Sequence, residues 1–450
     1  MLIYVQVALK FMRQDSSLSI SLDMRALLSY FKESGQLQII SRQLKLEYEA
    51  AWYIQQAQPS PVLLSTPRGK VISNLLAKRE VLTRMLGGGP DVEVYMRVFK
   101  ALENPLPIQN LERPSLQDIP VDLYKLPALK FFEKDAGRYI TAGIFIAKDS
   151  ESGAVNASIH RALVLDEENL AVRLVPRHLH QIFRKAEVRG QNLPAAILIG
   201  APPITYITAA MSPPYGVYEA EVANALVGGN LKGTDTLLDG VVLPMPAEIV
   251  ITGEFIAGKR ADEGPFVDIL GTYDIVRKEP VFRVDSISVR QDFLYYTILP
   301  SGFEHILLMG FPREVAIWNV ASKTALGIKK VRLTPGGCGW LNAVISMEKT
   351  TEGDPKNVIM AAFAAHPSLK CVVVVDQDID PDNPREIEWA LATRMQPDED
   401  IVIIRGARGS SLDPSADQES LLTSKIGIDA TRPLHKDRNL FEKAKIPPPS

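Results

Sequence analysis

The sequence is poor in cysteine and in long apolar runs. Its 450 residues include two cysteines, Cys338 and Cys371, which lie in unrelated contexts without CxxC spacing. This excludes a disulfide framework and a thiolate metal site and is typical of a reducing compartment, so we expect a cytoplasmic protein. No stretch approaches the ~18 to 20 uninterrupted apolar residues that span a bilayer. Residues 1–20 lack the basic start and the cleavage site of a secretory signal, and we interpret them as an N-terminal extension.

Charge of one sign is also lacking. Fifty basic residues oppose 53 acidic ones, which leaves a net charge of −3. Without a global basic field, neither nucleic acid nor an anionic membrane is expected as a partner, and any anionic ligand must be held locally. The sequence contains no Walker A motif, no GxGxxG after a strand, no GxSxG and no HExxH. These absences exclude the common nucleotide-binding and hydrolase classes.

The patterns that are present predict an α+β protein. With 46% hydrophobic and 23% charged residues, a chain of 450 residues predicts a globular protein of two or three domains. Alternating helix and strand patterns over residues 21–115 predict an N-terminal α/β domain, followed by a proline-rich boundary. Short β-branched runs over 116–305 predict a barrel-like β domain with two inserted helices. Residues 306–450 return to an α/β pattern, in which VVVVD at 372–376 predicts a buried parallel strand.

Two segments carry acids and an arginine in unusual settings. In ADEGPFVDIL, Glu263 and Asp268 flank a Gly-Pro turn among apolar residues, which indicates carboxylates directed into a semi-buried site. In NASIHR, residues 156–161, Arg161 offers the forked guanidinium that binds planar carboxylates. An ordinary polar strand face is the alternative for this segment. Because Asn156 and Arg161 lie on opposite faces of a regular strand, both reach one site only across a bend.

A candidate metal set comes from three separate segments. Asn156, His178 and Glu219 offer oxygen and nitrogen ligands suited to Mn²⁺ or Mg²⁺, with phosphate oxygens completing the coordination. The alternatives are a packed histidine at 178 and, at Glu219, a carboxylate that stabilises the start of a helix. Lys425 is a candidate point charge for a phosphate, with a solvated lysine as its alternative. The acids at 376–382 lack the glycine and the terminal Glu of an EF-hand and predict a helix-capping loop.

Taken in order, these motifs resemble the UbiD family of reversible decarboxylases. The resemblance runs from Leu22 to Pro433 and rests on NASIHR, PRH, MSPPYGVYE, EGPFVD and TSKIGIDATRP, which occur in the order found in the family. It implies a central split β-barrel that binds prenylated FMN and a C-terminal α/β domain used for oligomerisation. We therefore expect a homo-oligomer, either a dimer or a hexamer. A flavin prenyltransferase is the implied supplier of the cofactor.

The resemblance also implies a role for each motif residue. Arg161 orients the substrate carboxylate and Glu263 holds Arg161. Asp268 protonates the adduct that forms when an α,β-unsaturated acid adds to the flavin by cycloaddition and loses CO₂. Mn²⁺, with K⁺ as a further candidate, bridges to the flavin phosphate, and its implied ligands are Asn156, His178 and Glu219. The implied flavin contacts are Ser158, Ile159, His160, Arg161, Met211 and Lys425.

Two departures from the best-known members bear on the substrate. Asp268 stands where they have Glu, so the proton donor is one methylene shorter. Arg177 stands where the aryl-acrylate enzymes have Gln, and an extra guanidinium there favours a second anion on the substrate. Arg177, the shortened chain and the motifs LPSGFEHILLMGFPRE and LDPSADQ most resemble the archaeal branch of the family. That branch implies decarboxylation of trans-anhydromevalonate 5-phosphate to isopentenyl phosphate in the modified mevalonate route.

Three alternatives stay open at this level. One is an aromatic substrate such as 3-polyprenyl-4-hydroxybenzoate, which calls for a wider, flatter and more apolar pocket. Another is a non-catalytic flavin-binding protein on the same barrel, which would need neither Glu263 nor Asp268. The third is an FMN reductase that turns over NAD(P)H, against which the missing dinucleotide fingerprint argues.

Overall fold

The computed structural model describes residues 15–111, 114–444 and 446. Residues 1–14 of the predicted N-terminal extension therefore lie outside the described residues, and residues 15–20 belong to the first helix. The helices, in chain order, are α1 (Asp15–Leu22), α2 (Met24–Glu33), α3 (Glu49–Ala57), α4 (Arg79–Met85), α5 (Asp91–Glu103), α6 (His178–Val188), α7 (Pro203–Ala209), α8 (Glu219–Leu226), α9 (Phe303–Ala321), α10 (Asp354–Ala365), α11 (Pro384–Arg394) and α12 (Pro397–Asp400).

The strands alternate with these helices along the whole chain. In chain order they are β1 (Gln38–Gln43), β2 (Val62–Thr66), β3 (Gly69–Ser73), β4 (Gln109–Asn110), β5 (Gln117–Ile119), β6 (Tyr139–Lys148), β7 (Val155–Val164), β8 (Asn169–Val172), β9 (Leu193–Ile199), β10 (Lys232–Thr234), β11 (Leu243–Met245), β12 (Ile249–Glu263), β13 (Phe266–Val267), β14 (Tyr273–Asp274), β15 (Arg277–Val289), β16 (Leu294–Tyr296), β17 (Ile328–Leu333), β18 (Asn342–Met347), β19 (Cys371–Asp376), β20 (Ile401–Arg408) and β21 (Leu422–Ala430).

The chain forms two compact units. Of the described residues, the first unit comprises those up to 90 and those within 96–308, and the second comprises 91–95 and those from 309 onward. Among the residues that the structure describes, no helix is both long and apolar enough to cross a bilayer. The fold is therefore mixed α+β, as the sequence predicts, while the division into three domains stays a prediction.

A closed barrel of six antiparallel strands dominates the first unit. Its order is β12-β9-β6-β7-β8-β15, and β12 pairs with β15 to complete the circle. Phe145 on β6 lies 6.0 Å from both Phe255 on β12 and Phe282 on β15, measured between ring centroids. Because β6 pairs with neither β12 nor β15, these contacts must cross the barrel interior. The rings are buried, so an aromatic core fills part of the barrel.

The rest of the first unit is tied to the barrel by its own strands and by one buried acid. The small sheet β1-β2-β3-β16 is completed by β16, which follows directly after the last barrel strand and pairs in parallel with β3. Glu248, fully buried, accepts two hydrogen bonds from Arg25 on α2 at 2.7 and 2.8 Å. Helix α2 begins after Asp23, whose side chain accepts from the Arg25 N–H. Asp23 is therefore the N-cap of α2.

The second unit is a five-stranded sheet with apolar side chains on both faces. Strands β18, β19 and β21 run parallel, and β17 and β20 flank them antiparallel. Val372 and Val374 of β19 belong to one core and Val373 and Val375 to another. Burial on both faces explains why VVVVD has no alternation, and the predicted parallel strand is confirmed. Asn383 in the following acidic loop caps α11, as the loop composition predicts.

Candidate active site

Strand β7 presents polar side chains on both of its faces. Asn156, Ser158 and His160 alternate along it, and Ser158 Oγ lies 2.9 Å from Asn156 Oδ1 and 2.8 Å from His160 Nε2. Arg161 belongs to the opposite face. The pairing of β7 with β6 shifts register between His160 and Ala162. The irregularity thus lies at Arg161, where the sequence required a bend.

Arg161 is the centre of a buried group of carboxylates. Its Nε and Nη2 donate to the two oxygens of Glu263, each at 2.8 Å. Nη1 donates to Asp268 and Nη2 also donates to Asp274, both at 3.1 Å. Glu263 is fully buried and the Arg161 side chain is 10% exposed, so solvent screens these contacts little. The structure therefore brings together Arg161, Glu263 and Asp268, the three residues predicted to form the acid-base group.

The chain delivers these acids through one tight turn and one short hairpin. Glu263 is the last residue of β12, and Gly264 turns the chain with φ at +97°, where an added Cβ would meet the carbonyl oxygen of Ile275 at 3.0 Å. Only glycine adopts this conformation without strain. The hairpin β13–β14 then pairs Phe266 with Asp274, which brings Asp274 back to Arg161.

Asp274 links Arg161 to two further cations that the sequence did not single out. It accepts from Arg277 Nη2 at 2.9 Å, and Arg173 Nε lies 3.8 Å away. Burial opposes ionisation, but hydrogen bonding to Arg277 and the charge of Arg161 hold the pKa of Asp274 below its ordinary value. Burial likewise opposes the charge of Arg161, yet its bond to Glu263 and the charges of the carboxylates raise its pKa. Arg161 is therefore a permanent cation, held from three sides.

Glu219 and Asn156, two of the predicted metal ligands, are in direct contact. Asn156 Nδ2 and the Ala157 N–H each donate to Glu219, both at 2.7 Å. Glu219 is 2% exposed, and no ion pair to it is found among the described residues. Burial raises the pKa of Glu219 to about 8. A buried carboxylate without a cation is a suitable ligand for a divalent metal ion.

The amide oxygen of Asn156 also suits a cation. His160 Nδ1 lies 2.9 Å from the carbonyl oxygen of Arg173, and because a carbonyl only accepts, Nδ1 carries the proton. Burial lowers the pKa of His160 to about 4, so the ring is neutral and its Nε2 accepts the single proton of Ser158. Asn156 Oδ1 then receives no proton from Ser158. Asn156 Oδ1 therefore has lone pairs available for a cation.

His178, the third predicted ligand, is held by a different contact. It is the first residue of α6 and packs edge-on against the ring of Tyr215, with centroids 5.5 Å apart. Tyr215 is itself anchored, since its hydroxyl donates to Asp149 at 2.6 Å. Among the residues that the structure describes, no three His, Cys, Asp or Glu side chains are arranged so that they could hold a metal ion. A metal at this place would therefore depend on the Asn156 amide and on oxygens from a ligand.

Two of the remaining predicted contacts, Arg177 and Met211, lie next to the ends of α6 and α7. Met211 is buried just after α7, and the adjacent Ser212 accepts a hydrogen bond from exposed Arg177 at 2.8 Å. Ile159 lies on β7 opposite Ile144 of β6. The hydrogen bond to Ser212 thus holds Arg177 next to the segment that contains Met211.

Lys425 lies in the second unit, on β21. It is 4% exposed, and its ammonium donates to the carbonyl oxygens of Pro367 and Leu369 within the same unit. Burial lowers its pKa. It is not the solvated lysine of the alternative interpretation, and its contact with a phosphate stays a prediction.

Comparison with known proteins identifies the family. The model described as the 3-octaprenyl-4-hydroxybenzoate carboxy-lyase Rift-related domain (UbiD) matches residues 104–303, and the C-terminal domain model of the same carboxy-lyase matches 306–430. The chain belongs to the UbiD family. The anhydromevalonate phosphate decarboxylase of Aeropyrum pernix is 43% identical over 94% of this chain and 96% of its own length. The protein is accordingly a member of a family of decarboxylases.

Solved structures of UbiD-class enzymes share the fold. The enzyme HmfF from Pelotomaculum thermopropionicum in complex with FMN has a TM-score of 0.90 at 35% identity, covering 94% of this chain and 97% of that one. An evolved dimeric form of the same enzyme in complex with prFMN has a TM-score of 0.86 at 34% identity, covering 95% and 97%. The α+β fold with its six-stranded barrel is thus that of flavin-binding UbiD-class enzymes.

Sequence reasoning missed two residues beside the Arg161 group. Asp274 lies six positions after Asp268, but its segment resembles a plain strand, and only the β13–β14 pairing returns it to Arg161. His305 lies within LPSGFEHILLMGFPRE, where the surrounding pattern is that of an ordinary helix start. Its Nδ1 accepts from the Ser301 N–H at 3.0 Å. No spacing rule connects either residue to Arg161.

Proposed function

We propose that the protein decarboxylates trans-anhydromevalonate 5-phosphate to isopentenyl phosphate, using prenylated FMN. The observation that carries the proposal is the two-point contact between Arg161 and Glu263 with Asp268 on the remaining nitrogen, at 2.8 and 3.1 Å. A fixed guanidinium beside a partly exposed carboxyl group suits an acid substrate that must lose CO₂ and gain a proton. The 43% identity to the Aeropyrum pernix enzyme supports the choice of substrate.

The chain's own residues supply orientation and the proton. Arg161 binds the substrate carboxylate, and Glu263 keeps the guanidinium plane in one orientation through both of its oxygens. Asp268, whose side chain is 23% exposed, would exchange a proton with solvent and deliver it to the carbon that lost CO₂. Prenylated FMN, when bound, supplies the electron sink for the breaking carbon–carbon bond.

Asn156, His178 and Glu219 would hold the Mn²⁺ ion that binds the cofactor phosphate, with K⁺ as a second candidate cation. A buried carboxylate is costly without a cation beside it, so binding of the ion next to Glu219 would offset that cost. Ser158, Ile159, His160 and Met211 would contact the flavin, and Lys425 its phosphate.

Arg177 is the proposed contact for the phosphate of the substrate. It is exposed and attached to the Met211 segment through Ser212, so its guanidinium retains donors for an anion. Replacing Arg177 by Gln should therefore weaken the phosphorylated acid selectively.

The proposal extends to the partners of the enzyme. A flavin prenyltransferase would supply the cofactor in the cytoplasm, and the protein would form a homo-oligomer, either a dimer or a hexamer. Light scattering on the purified protein measures the oligomeric state directly.

The decisive test is CO₂ release after co-expression with a flavin prenyltransferase. We expect release from anhydromevalonate phosphate, and little from cinnamic and hydroxybenzoic acids. Arg177→Gln should lower kcat/KM for the phosphorylated acid by ~10 to 100-fold, the loss of one charge-assisted contact, without a matching loss on unphosphorylated acids. Bound unmodified FMN with NADH oxidation, or equal losses on all acids, would overturn the assignment.

A further inference from the structure

His305, at the start of α9, has a partly buried imidazole ring with one of its two nitrogens in a hydrogen bond. Its Nδ1 accepts the N–H of Ser301 at 3.0 Å. Ser301 has a left-handed backbone, with φ at 59°, which holds that N–H in one direction. A proton on Nδ1 would set two donors against each other, so the neutral ring must carry its proton on Nε2.

The surroundings of His305 keep it neutral. Burial lowers its pKa, and although the charge of Asp268 opposes this shift, the charge of Arg161 adds to it. Both charged groups are therefore near the ring. Among the described residues, His305 Nε2 has no hydrogen-bond partner. The structure thus leaves one N–H donor unused beside the acid-base group.

The turn that carries Asp268 packs on the segment that orients His305. Asp268 and Thr272 are joined by a backbone bond of 3.0 Å, and Gly271 donates back to the Asp268 carbonyl at 2.9 Å. A Cβ added at Gly271 would lie 3.2 Å from Ser301 Oγ. The Asp268 turn and the Ser301–His305 segment are therefore in direct contact.

Arg161 also has one unused donor. A guanidinium has five N–H groups, and four are accounted for by Glu263, Asp268 and Asp274. The fifth, on Nη1, has no partner within the described residues. It lies on the nitrogen that contacts Asp268, and the charge of the same Asp268 acts on the ring of His305.

We propose that His305 is a further catalytic residue, whose Nε2–H and the free Nη1–H of Arg161 together bind the two oxygens of the substrate carboxylate. The inference rests on the proposed function, because it assigns a contact to the same acid substrate. A carboxylate held at both oxygens next to Asp268 is oriented for loss of CO₂ and for protonation from the same side.

The test compares binding of the acid with binding of its product, which has lost the carboxylate. We expect His305→Ala to lower the affinity for anhydromevalonate phosphate, measured by calorimetry, by ~10 to 100-fold. This is the effect of losing a hydrogen bond to a charged group. Isopentenyl phosphate should bind as it does to the wild type. His305→Gln, which keeps a side-chain N–H donor, should recover part of the lost affinity. His435→Ala is the matched control, since that side chain is 73% exposed.

Three outcomes would overturn the proposal. His305→Ala could weaken binding of the acid and of the product equally, which would mean that His305 only shapes the pocket. Acid binding could be unchanged in His305→Ala, or His305→Gln could bind the acid no better than His305→Ala while both variants melt like the wild type. CO₂ release by the wild type tests the proposed function separately. If the wild type released no CO₂ but His305→Ala still lost affinity for the acid, the proposed reaction would be wrong and the contact between His305 and the acid would stand.

Discussion

Replacing Glu263 by Gln tests the orientation of Arg161, on which the proposed chemistry depends. The carboxylate of Glu263 accepts from Nε and Nη2 of Arg161 at 2.8 Å. An amide offers one oxygen and one NH₂ group, so one of the two contacts becomes donor against donor. The guanidinium then rotates or shifts to relieve that conflict.

The size of the effect follows from the remaining partners of Arg161. Removing one member of an isolated buried ion pair costs ~3 to 5 kcal/mol. Arg161 keeps Asp268 and Asp274 at 3.1 Å, so we expect only the ~1 to 3 kcal/mol of an unsatisfied polar group and a fall of a few degrees in melting temperature. Catalysis is more sensitive to position, and we expect kcat/KM to fall by ~100-fold.

The assay is CO₂ release with melting temperature measured in parallel, and Glu279→Gln is the matched control. Glu279 is 6% exposed and accepts from Arg173 Nη1 at 2.6 Å and from the Leu174 N–H at 3.1 Å. Loss of the Glu279 carboxylate should destabilise the fold similarly but lower kcat/KM by less than ~10-fold. The Arg173 side chain that Glu279 holds approaches the Arg161 group at Asp274, at 3.8 Å, and the direct bond from Arg173 to Arg161 is between backbone atoms. Equal activity losses in the two variants would refute a special role for the Arg161–Glu263 contact.

Three further predictions concern the proton, the metal and pH. Asp268→Asn removes the proton donor but keeps a polar group of the same size, so turnover should fall by at least ~100-fold while the absorbance of the bound flavin is unchanged. Glu219→Gln should lower the Mn²⁺ content measured by mass spectrometry, since an amide cannot lose a proton to become the anionic ligand that the ion requires; retention of the metal would contradict Glu219 as a ligand. Burial raises the pKa of Glu304 to about 7, above its unfolded value of ~4.3, so the unfolded state releases a proton that the folded state keeps. Stability should therefore fall from about pH 4.5 to 7, and the urea midpoint of Glu304→Gln should lack this component; parallel pH profiles for variant and wild type would contradict it.

Local patterns predicted much of the fold because each reflects burial of a single element. VVVVD lacks alternation because β19 is covered on both faces, and this property is legible within five residues. The barrel strands were predicted as short β-branched runs. The contribution of β16 to the N-terminal sheet was not predicted, since its partner β3 lies more than 200 positions earlier and no local pattern encodes such a pairing.

The predicted acid-base residues had a recognisable local composition, whereas their partners did not. Glu263 and Asp268 flank a Gly-Pro turn, an arrangement rare enough to notice. Asp274 and His305 occur in segments that resemble an ordinary strand and an ordinary helix. Their proximity to Arg161 depends on a hairpin and on a turn packed against Ser301.

The sequence by itself determined the residue types and their order: a forked cation, acids at a glycine turn, and an amide, an imidazole and a carboxylate suited to a metal. These are chemical properties that each residue carries wherever it lies. Only the tertiary structure decided which of these residues are in contact. It shows that Arg161 donates four of its five N–H groups to three acids. It also shows that His305 has one N–H group without a partner among the described residues. Whether a donor has a partner depends on which groups lie next to it in space. For residues 100 or more positions apart in the chain, closure of the barrel determines which of them become neighbours.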